Sequence, residues 1–233
     1  MSSFKPSLSI LYEDNHLIAI NKQAGEIVQG DKTGDTPLSE KVKEYIRLKY
    51  NKLGEAFIGV IHRLDRPVSG IVIFAKTSKA LTRMNELFKT KQLSKKYWAI
   101  VENLPEKRED ALVHYLVKNE KQNKSYVTTE SNKNAKKAEL HYKHLSSSDN
   151  YHLLEVELKT GRHHQIRVQL SAVGSVIKGD LKYGAKRSNS DASISLHSRK
   201  LEFIHPVKKE KISIIAQVPD DSLWKYFEKQ INS

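Results

Sequence analysis

The group best placed to do chemistry in this sequence is a carboxylate set between cations. The stretch Val60–Lys76 reads VIHRLDRPVSGIVIFAK. Within it Asp65 stands between Arg63 and Arg66, with His62 ahead of it and Pro67 behind. A nearby cation keeps a carboxylate ionised and oriented. In that state it can serve as a nucleophile or as a general base. An isolated Arg-x-Asp carries little weight, because so short a pattern recurs by chance as a surface ion pair. A second polar cluster reads Lys159-Thr160-Gly161-Arg162-His163-His164-Gln165-Ile166-Arg167. Arg162 and Arg167 lie near an expected helix start, where N–H groups and side chains can hold an anion. They could bind phosphates, or one of them could pair with Asp65, or with a structural carboxylate. His163 and His164 have no close third ligand, so no metal site is expected. Cysteine is absent, which removes disulfides, thiolate zinc sites and a cysteine nucleophile.

Rigid elements must hold these groups. Phe57–Ile61 and Ile71–Ala75 are apolar, β-branched runs and predict two buried strands joined by the Asp65 loop. Pro67 cannot donate to a sheet ladder and so belongs to the loop. Leu8–Glu13 and Leu17–Asn21 predict strands around an Asp14-Asn15 turn. Thr36-Pro37 predicts a helix start, with Thr36 as cap and Pro37 in the first helical position, running to about Tyr50. Ser78 is the expected cap of a second helix carrying Leu81, Met84, Leu87 and Phe88 on one face. Strands are expected at Lys95–Val101, Ala111–Val117, Ala138–Leu145 and His152–Leu158. A helix from near His164 to Val173 should end at Gly174. Lys118–Lys124 and Ser131–Lys137 read as exposed, and Lys186–Ser193 as polar and mobile. A late strand pair at Arg199–Phe203 and Lys211–Val218 precedes a closing helix at Asp221–Gln230. Strands outnumber helices and several pair through short turns. The expected class is therefore α+β, a mixed, largely antiparallel central sheet flanked by helices. No repeat or linker divides the chain, so a single domain over residues 1–233 is expected.

Lys+Arg number 40 against 27 Asp+Glu, a net charge of +13 in 233 residues. That balance favours a polyanionic partner, most often nucleic acid. The N-terminus lacks the long apolar segment of a signal peptide. No stretch approaches the roughly 18 apolar residues of a membrane span. A cytoplasmic protein without a membrane partner, with no obligate protein partner and monomeric, is the expectation.

The central string resembles the HRLDxxTSG motif of the RluA-type RNA pseudouridine synthases, with Val68 in place of Thr. TGRHHQIRVQLSAVGSVIKGDLKYG, Thr160–Gly184, resembles the family pattern TGRxHQIRxHLxxxGxPIxGDxxYG, with Gln169 for His and Val176 for Pro. Lys96-Tyr97-Trp98-Ala99 is similar to the family's KxYxA strand, and Leu196-His197…Leu201-Glu202-Phe203…His205-Pro206 is a fourth match. The four motifs follow in order across nearly the whole chain. The resemblance implies isomerisation of uridine to pseudouridine in rRNA or tRNA, with no cofactor. It implies Asp65 as nucleophile, Tyr97 against the target base, and Arg167 paired with the aspartate. Arg63 would fill the gap left by a flipped uridine, while His62, Arg162 and Gln165 would lie on the substrate side. Asp65 would either add covalently to the ribose or remove a sugar proton to give a glycal; the residues alone do not choose. Some members carry an N-terminal S4 RNA-binding domain, and strands beginning near Leu8 imply none here. A non-catalytic RNA-binding protein on the same fold would keep the basic surface without needing Asp65. A glycosidic hydrolase would need a second carboxylate, for which Asp180 is the one candidate within a motif.

Overall fold

The computed structural model describes residues 8–232; residues 1–7 and 233, parts of the expected 1–233 domain, lie outside the described residues. In chain order the elements are β1 (Ile10–Glu13), β2 (Leu17–Lys22), α1 (Leu38–Lys49), β3 (Gly59–Val60), β4 (Ser69–Ala75), α2 (Ser78–Lys89), β5 (Leu93–Val101), β6 (Glu109–Asn119), β7 (Lys124–Thr128), β8 (Lys136–Ser147), β9 (His152–Leu158), α3 (Gln165–Ala172), β10 (Leu196–Ile204), β11 (Lys211–Ile215) and α4 (Ser222–Asn232). A short 3-10 turn, Leu181–Tyr183, follows α3. The chain forms two compact units, residues 1–93 with 200–217, and residues 94–199 with 218–233. The class is the expected α+β with largely antiparallel pairing.

In the first unit β2 pairs antiparallel with β1 and with β4. Every residue of β2 and β4 is buried, which explains their near-continuous β-branched sequences rather than an in-out alternation. The β3 strand is only two residues long and pairs Gly59 and Val60 with Ala75 and Phe74. The longer run expected from Phe57 does not form, and Phe57 is exposed. The β10–β11 hairpin places Leu201, Phe203 and Ile214 in one core cluster with Ile71, Ile73 and Met84. Helix α2 seals that cluster through Met84, with Leu81, Leu87 and Phe88 packed around it.

Both helix starts differ by one residue from the sequence reading. Thr77, not Ser78, caps α2, its hydroxyl accepting from the Ala80 N–H at 3.1 Å. Pro37 is the cap residue of α1 and no side chain caps that helix. Its first N–H groups instead donate to main-chain carbonyls, Leu38 to Ile27 at 2.8 Å and Ser39 to Val28 at 3.2 Å. The preceding loop supplies the acceptors a Thr36 hydroxyl was expected to give.

In the second unit the antiparallel order is β5–β9–β8–β6–β7. The β6 strand runs longer than expected, and β7 (Lys124–Thr128) forms between the two stretches read as exposed, where no strand was expected. Asn119 and Asn123 make that hairpin. The Asn119 side chain accepts from the Gln122 N–H at 3.1 Å, and Asn123 takes a left-handed φ of 45°, a conformation asparagine tolerates. Helix α4 adds Trp224 and Phe227 to a cluster with Trp98, Ile100 and Leu153. Arg199 lies 4.4 Å over the Trp98 ring and pairs with Glu228 at 2.8 Å. The Lys186–Ser193 segment is anchored rather than loose. Asn189 bonds Lys178, Ser193 and Ser195, and Asp191 accepts from the Ser193 amide and hydroxyl.

Candidate active site

The Asp65 loop in the first unit is fixed at its main chain. The Val68 N–H donates to the Asp65 carbonyl at 3.0 Å, closing a turn over Arg66 and Pro67. The Arg66 carbonyl accepts from the Gly25 N–H at 2.8 Å and from Lys22 Nζ at 3.2 Å. Val68 is buried, so its side chain packs where the family pattern has a hydroxyl. Asp65 is half-buried and Arg63 exposed. Of the two arginines flanking Asp65, Arg66 is drawn away from it. The Arg66 guanidinium turns to the 31–35 loop, 2.6 Å from Asp35 and 2.7 Å from the Thr33 hydroxyl. His62 Nε2 accepts from the Ile73 N–H at 3.2 Å, and its ring stacks on Phe88 at 5.0 Å. These contacts tie the head of the loop to β4 and α2.

Lys22 is the residue the sequence reading missed. It ends β2, is fully buried, and donates to the carbonyls of Gln23 and Arg66 at 2.9 and 3.2 Å. Burial pushes its ammonium down to about 8, against the pull of the Glu26 and Asp65 carboxylates. At neutral pH it is therefore a buried cation that feels Asp65 and grips the residue after it. Its one signal in the sequence is a lysine closing an apolar run, LIAINK. Such a lysine ordinarily lies at the surface with its charged end in water.

In the second unit β5 carries Tyr97, buried and paired in register with Val156 of β9. Arg167 lies on α3 and is buried. Its Nε and one terminal nitrogen hold Asp180 at 2.7 and 2.8 Å. This two-bonded fork fixes the guanidinium plane. It also commits Asp180, itself buried, so the hydrolase reading loses the second carboxylate it needed. Arg162 is separated from Arg167. It is exposed, and its Nε donates to the Lys137 carbonyl at 3.0 Å. The two arginines expected at one anion site therefore occupy different environments. Gln165 has both ends of its amide in the protein. Its oxygen accepts from the Arg162 N–H at 2.9 Å and the Thr160 hydroxyl at 2.7 Å, and its nitrogen donates to the Glu139 carbonyl at 3.0 Å. It organises the turn that leads into α3.

The remaining motif positions support that turn. His164 takes φ 53° at the cap of α3. Its Nδ1 lies 2.9 Å from the Tyr183 hydroxyl, which also accepts from the Ser125 N–H at 2.9 Å. Burial, then the Arg167 charge, push His164 down to about 2, so its ring is neutral. Gln169, replacing the family's histidine, is fully buried. Its Nε2 lies 3.2 and 3.3 Å from the Leu112 and Ala138 carbonyls and 3.0 Å from His114 Nδ1. That side chain ties α3 to β6 and β8, a structural use for the departure.

Residues 16–172 match the family described as RNA pseudouridylate synthase. The chain is 30% identical over 224 residues to ribosomal large subunit pseudouridine synthase D of Zymomonas mobilis, covering 92% of this chain and 70% of that protein. It is 34% identical over 219 residues to ribosomal large subunit pseudouridine synthase C of Buchnera aphidicola subsp. Acyrthosiphon pisum, covering 91% and 68%. The solved structure titled human RNA pseudouridylate synthase domain containing 4 is similar, with a TM-score of 0.78 and 25% identity over 96% of this chain and 93% of that one. The chain belongs to the RNA pseudouridylate synthase family. Its activity is the isomerisation of uridine to pseudouridine in RNA, the class that the RluA-type motifs implied. Among the described residues no helix is long and apolar enough to cross a membrane.

Proposed function

We propose that this synthase modifies ribosomal RNA, with Asp65 as the reacting carboxylate and Tyr97 and Arg167 as the other catalytic residues. The reaction breaks the bond from ribose C1′ to uracil N1 and forms one from C1′ to C5. The C5 proton leaves and N1 gains one, so no redox step or net co-reactant is required. Covalent addition at C1′ and removal of a sugar proton both need an ionised carboxylate. The observation that carries the assignment is the fixed Asp65 loop, whose main chain is held by Lys22 at the end of β2 and by Gly25 in the turn beyond it. The choice of ribosomal RNA is supported by the names of the relatives, large subunit pseudouridine synthases C and D. Arg63, exposed beside Asp65, occupies the gap left when the uridine leaves its stack. His62, Arg162 and Gln165 act on the substrate side through the loop and turn that they hold. We propose a monomer that works in the cytoplasm without an obligate protein partner.

The test is pseudouridine mapping in ribosomal RNA from cells with the gene, without it, and with Asp65→Asn. Asn keeps the shape and removes the charge. The expected result is one or a few ribosomal sites lost equally in the deletion and in Asp65→Asn, with RNA affinity retained. A site still modified in Asp65→Asn would refute the role of the carboxylate. Loss confined to transfer RNA would refute the choice of substrate.

A further inference from the structure

The second unit holds a polar cavity of about 550 Å³ that none of the catalytic motifs explains. Its cations are Lys178, Lys186 and Arg187, and its one aromatic is Tyr151. Asn103 and Asn150 supply amides at the wall, and Glu102 is the only carboxylate lining it. The Lys186 N–H donates to Glu102 at 3.2 Å, which occupies part of that carboxylate's accepting capacity. The Lys178 ammonium bonds Asn189 at 2.5 Å and lies 5.7 Å from the centroid of the Tyr151 ring. Lys186 and Arg187 are exposed and make no ion pair among the described residues. Two exposed cations thus stand beside one aromatic ring and a carboxylate already engaged by a main-chain N–H.

The cavity is built rather than incidental. Gly179 takes φ 85°, and a Cβ there would lie 2.8 Å from the Asn189 side chain and from the Ser193 carbonyl. Only a residue without a side chain lets the 186–193 loop close onto the 178–180 segment. Lys178 on that segment is two residues before Asp180, the partner of Arg167. The loop that bears Lys186 and Arg187 is thus packed against the turn that carries Asp180, the partner of Arg167.

We propose that this cavity binds one unpaired nucleotide of the RNA outside the reacting uridine. The Lys186 and Arg187 side chains would take its phosphate, and Tyr151 would stack on its base. This rests on the reading of the chain as an RNA pseudouridine synthase. A volume of this size suits a single nucleotide. Aromatic stacking with cations is the usual way to hold a single strand with little demand on sequence. Asn103 and Asn150 add the donors and acceptors through which an unstacked base edge can be read.

The test uses the full chain and a fluorescein-labelled uridylate dodecamer, followed by anisotropy across a salt series. Lys186→Ala/Arg187→Ala should weaken binding about tenfold or more, since hydrogen bonds to charged groups are the strong ones. It should also flatten the slope of log K against log salt by about 0.7, at roughly 0.7 per phosphate on a single strand. Tyr151→Ala should weaken binding by about five- to a hundred-fold and leave the slope unchanged. Lys89→Ala/Lys91→Ala, which removes the same charge from the first unit, is the control. The single-turnover rate at saturating RNA should stay at the wild-type level in the Lys89→Ala/Lys91→Ala control. Losses in the cavity variants no larger than in the control would overturn the proposal, as would a Tyr151→Ala variant that binds like wild type. A wild-type protein that neither binds the oligonucleotide nor modifies ribosomal RNA would instead bring down the synthase reading beneath it.

Discussion

Lys22 separates what stabilises the fold from what serves the reaction. Its ammonium falls from 10.5 to about 8, with burial the largest cause. At ~1.36 kcal/mol per unit, holding it charged at neutral pH costs the fold on the order of 3 kcal/mol. That cost already includes the attraction of Glu26 and Asp65. Lys22→Met removes the buried charge and keeps most of the volume. Its loss leaves the Gln23 carbonyl without this donor, but the Arg66 carbonyl keeps the Gly25 N–H. Two charge-assisted hydrogen bonds are given up, worth ~1.5–3 kcal/mol each before that offset. The opposing contributions nearly cancel, so denaturant unfolding at pH 7 should place Lys22→Met within about 2 kcal/mol of wild type. The single-turnover rate should nonetheless fall about tenfold or more, because Asp65 loses both a neighbouring positive charge and the grip on the residue that follows it. The pH dependence adds a second reading. Between about 8 and 10.5 the unfolded chain binds a proton that the folded chain does not, so Lys22 makes stability rise with pH through that window. Subtracting the Lys22→Met curve from wild type should expose a rise of on the order of 3 kcal/mol. A variant with wild-type rate, or a difference curve that stays flat from pH 8 to 10.5, would refute the reasoning.

Three further outcomes are expected. Arg63→Ala should lose much activity on a structured stem-loop and little on a flexible strand carrying the same uridine, since extrusion costs a few kcal/mol when the base is stacked; equal losses in single-turnover assays on both RNAs would remove its flipping role. His164 is neutral when folded, so its contribution to stability is complete above about 6.5 and is lost as pH falls, by ~1.4 kcal/mol per unit below that value. His164→Asn, which tolerates the left-handed φ, should shallow the loss of stability between pH 6.5 and 5 by about that slope in urea titrations, and an unchanged slope would count against a buried neutral ring. Asp180→Asn should destabilise the chain by about 3–5 kcal/mol, because it leaves the Arg167 charge buried without its carboxylate; a melting temperature equal to wild type would contradict the buried pair.

What was legible in the sequence was set by how local the governing physics is. The central strands of the first unit announced themselves because Leu17–Ile20 of β2 and Ile71–Ala75 of β4 are buried and therefore unbroken in apolar residues, whereas β9 shows only the apolar positions Leu153, Leu154 and Val156 around Glu155. The start of α1 was misread because its acceptors come from Ile27 and Val28, residues outside the capping pattern. Hairpin β6–β7 was hidden by lysines, since its turn depends on Asn123 adopting a positive φ. The same distinction runs through the site. Asp65 and Arg167 could be picked out by motif, but their supports could not. A lysine at the end of an apolar strand reads as a surface residue until the fold places its Nζ against the Arg66 carbonyl, 44 residues further along the chain. Asp180 reads as a spare acid, and hence as a second catalytic carboxylate, until both of its oxygens are found on Arg167. A buried carboxylate bonded through both oxygens to a guanidinium is committed to that pair. Its position therefore argues for one reacting carboxylate and a held arginine, the chemistry of base exchange at C1′ rather than of two-acid hydrolysis.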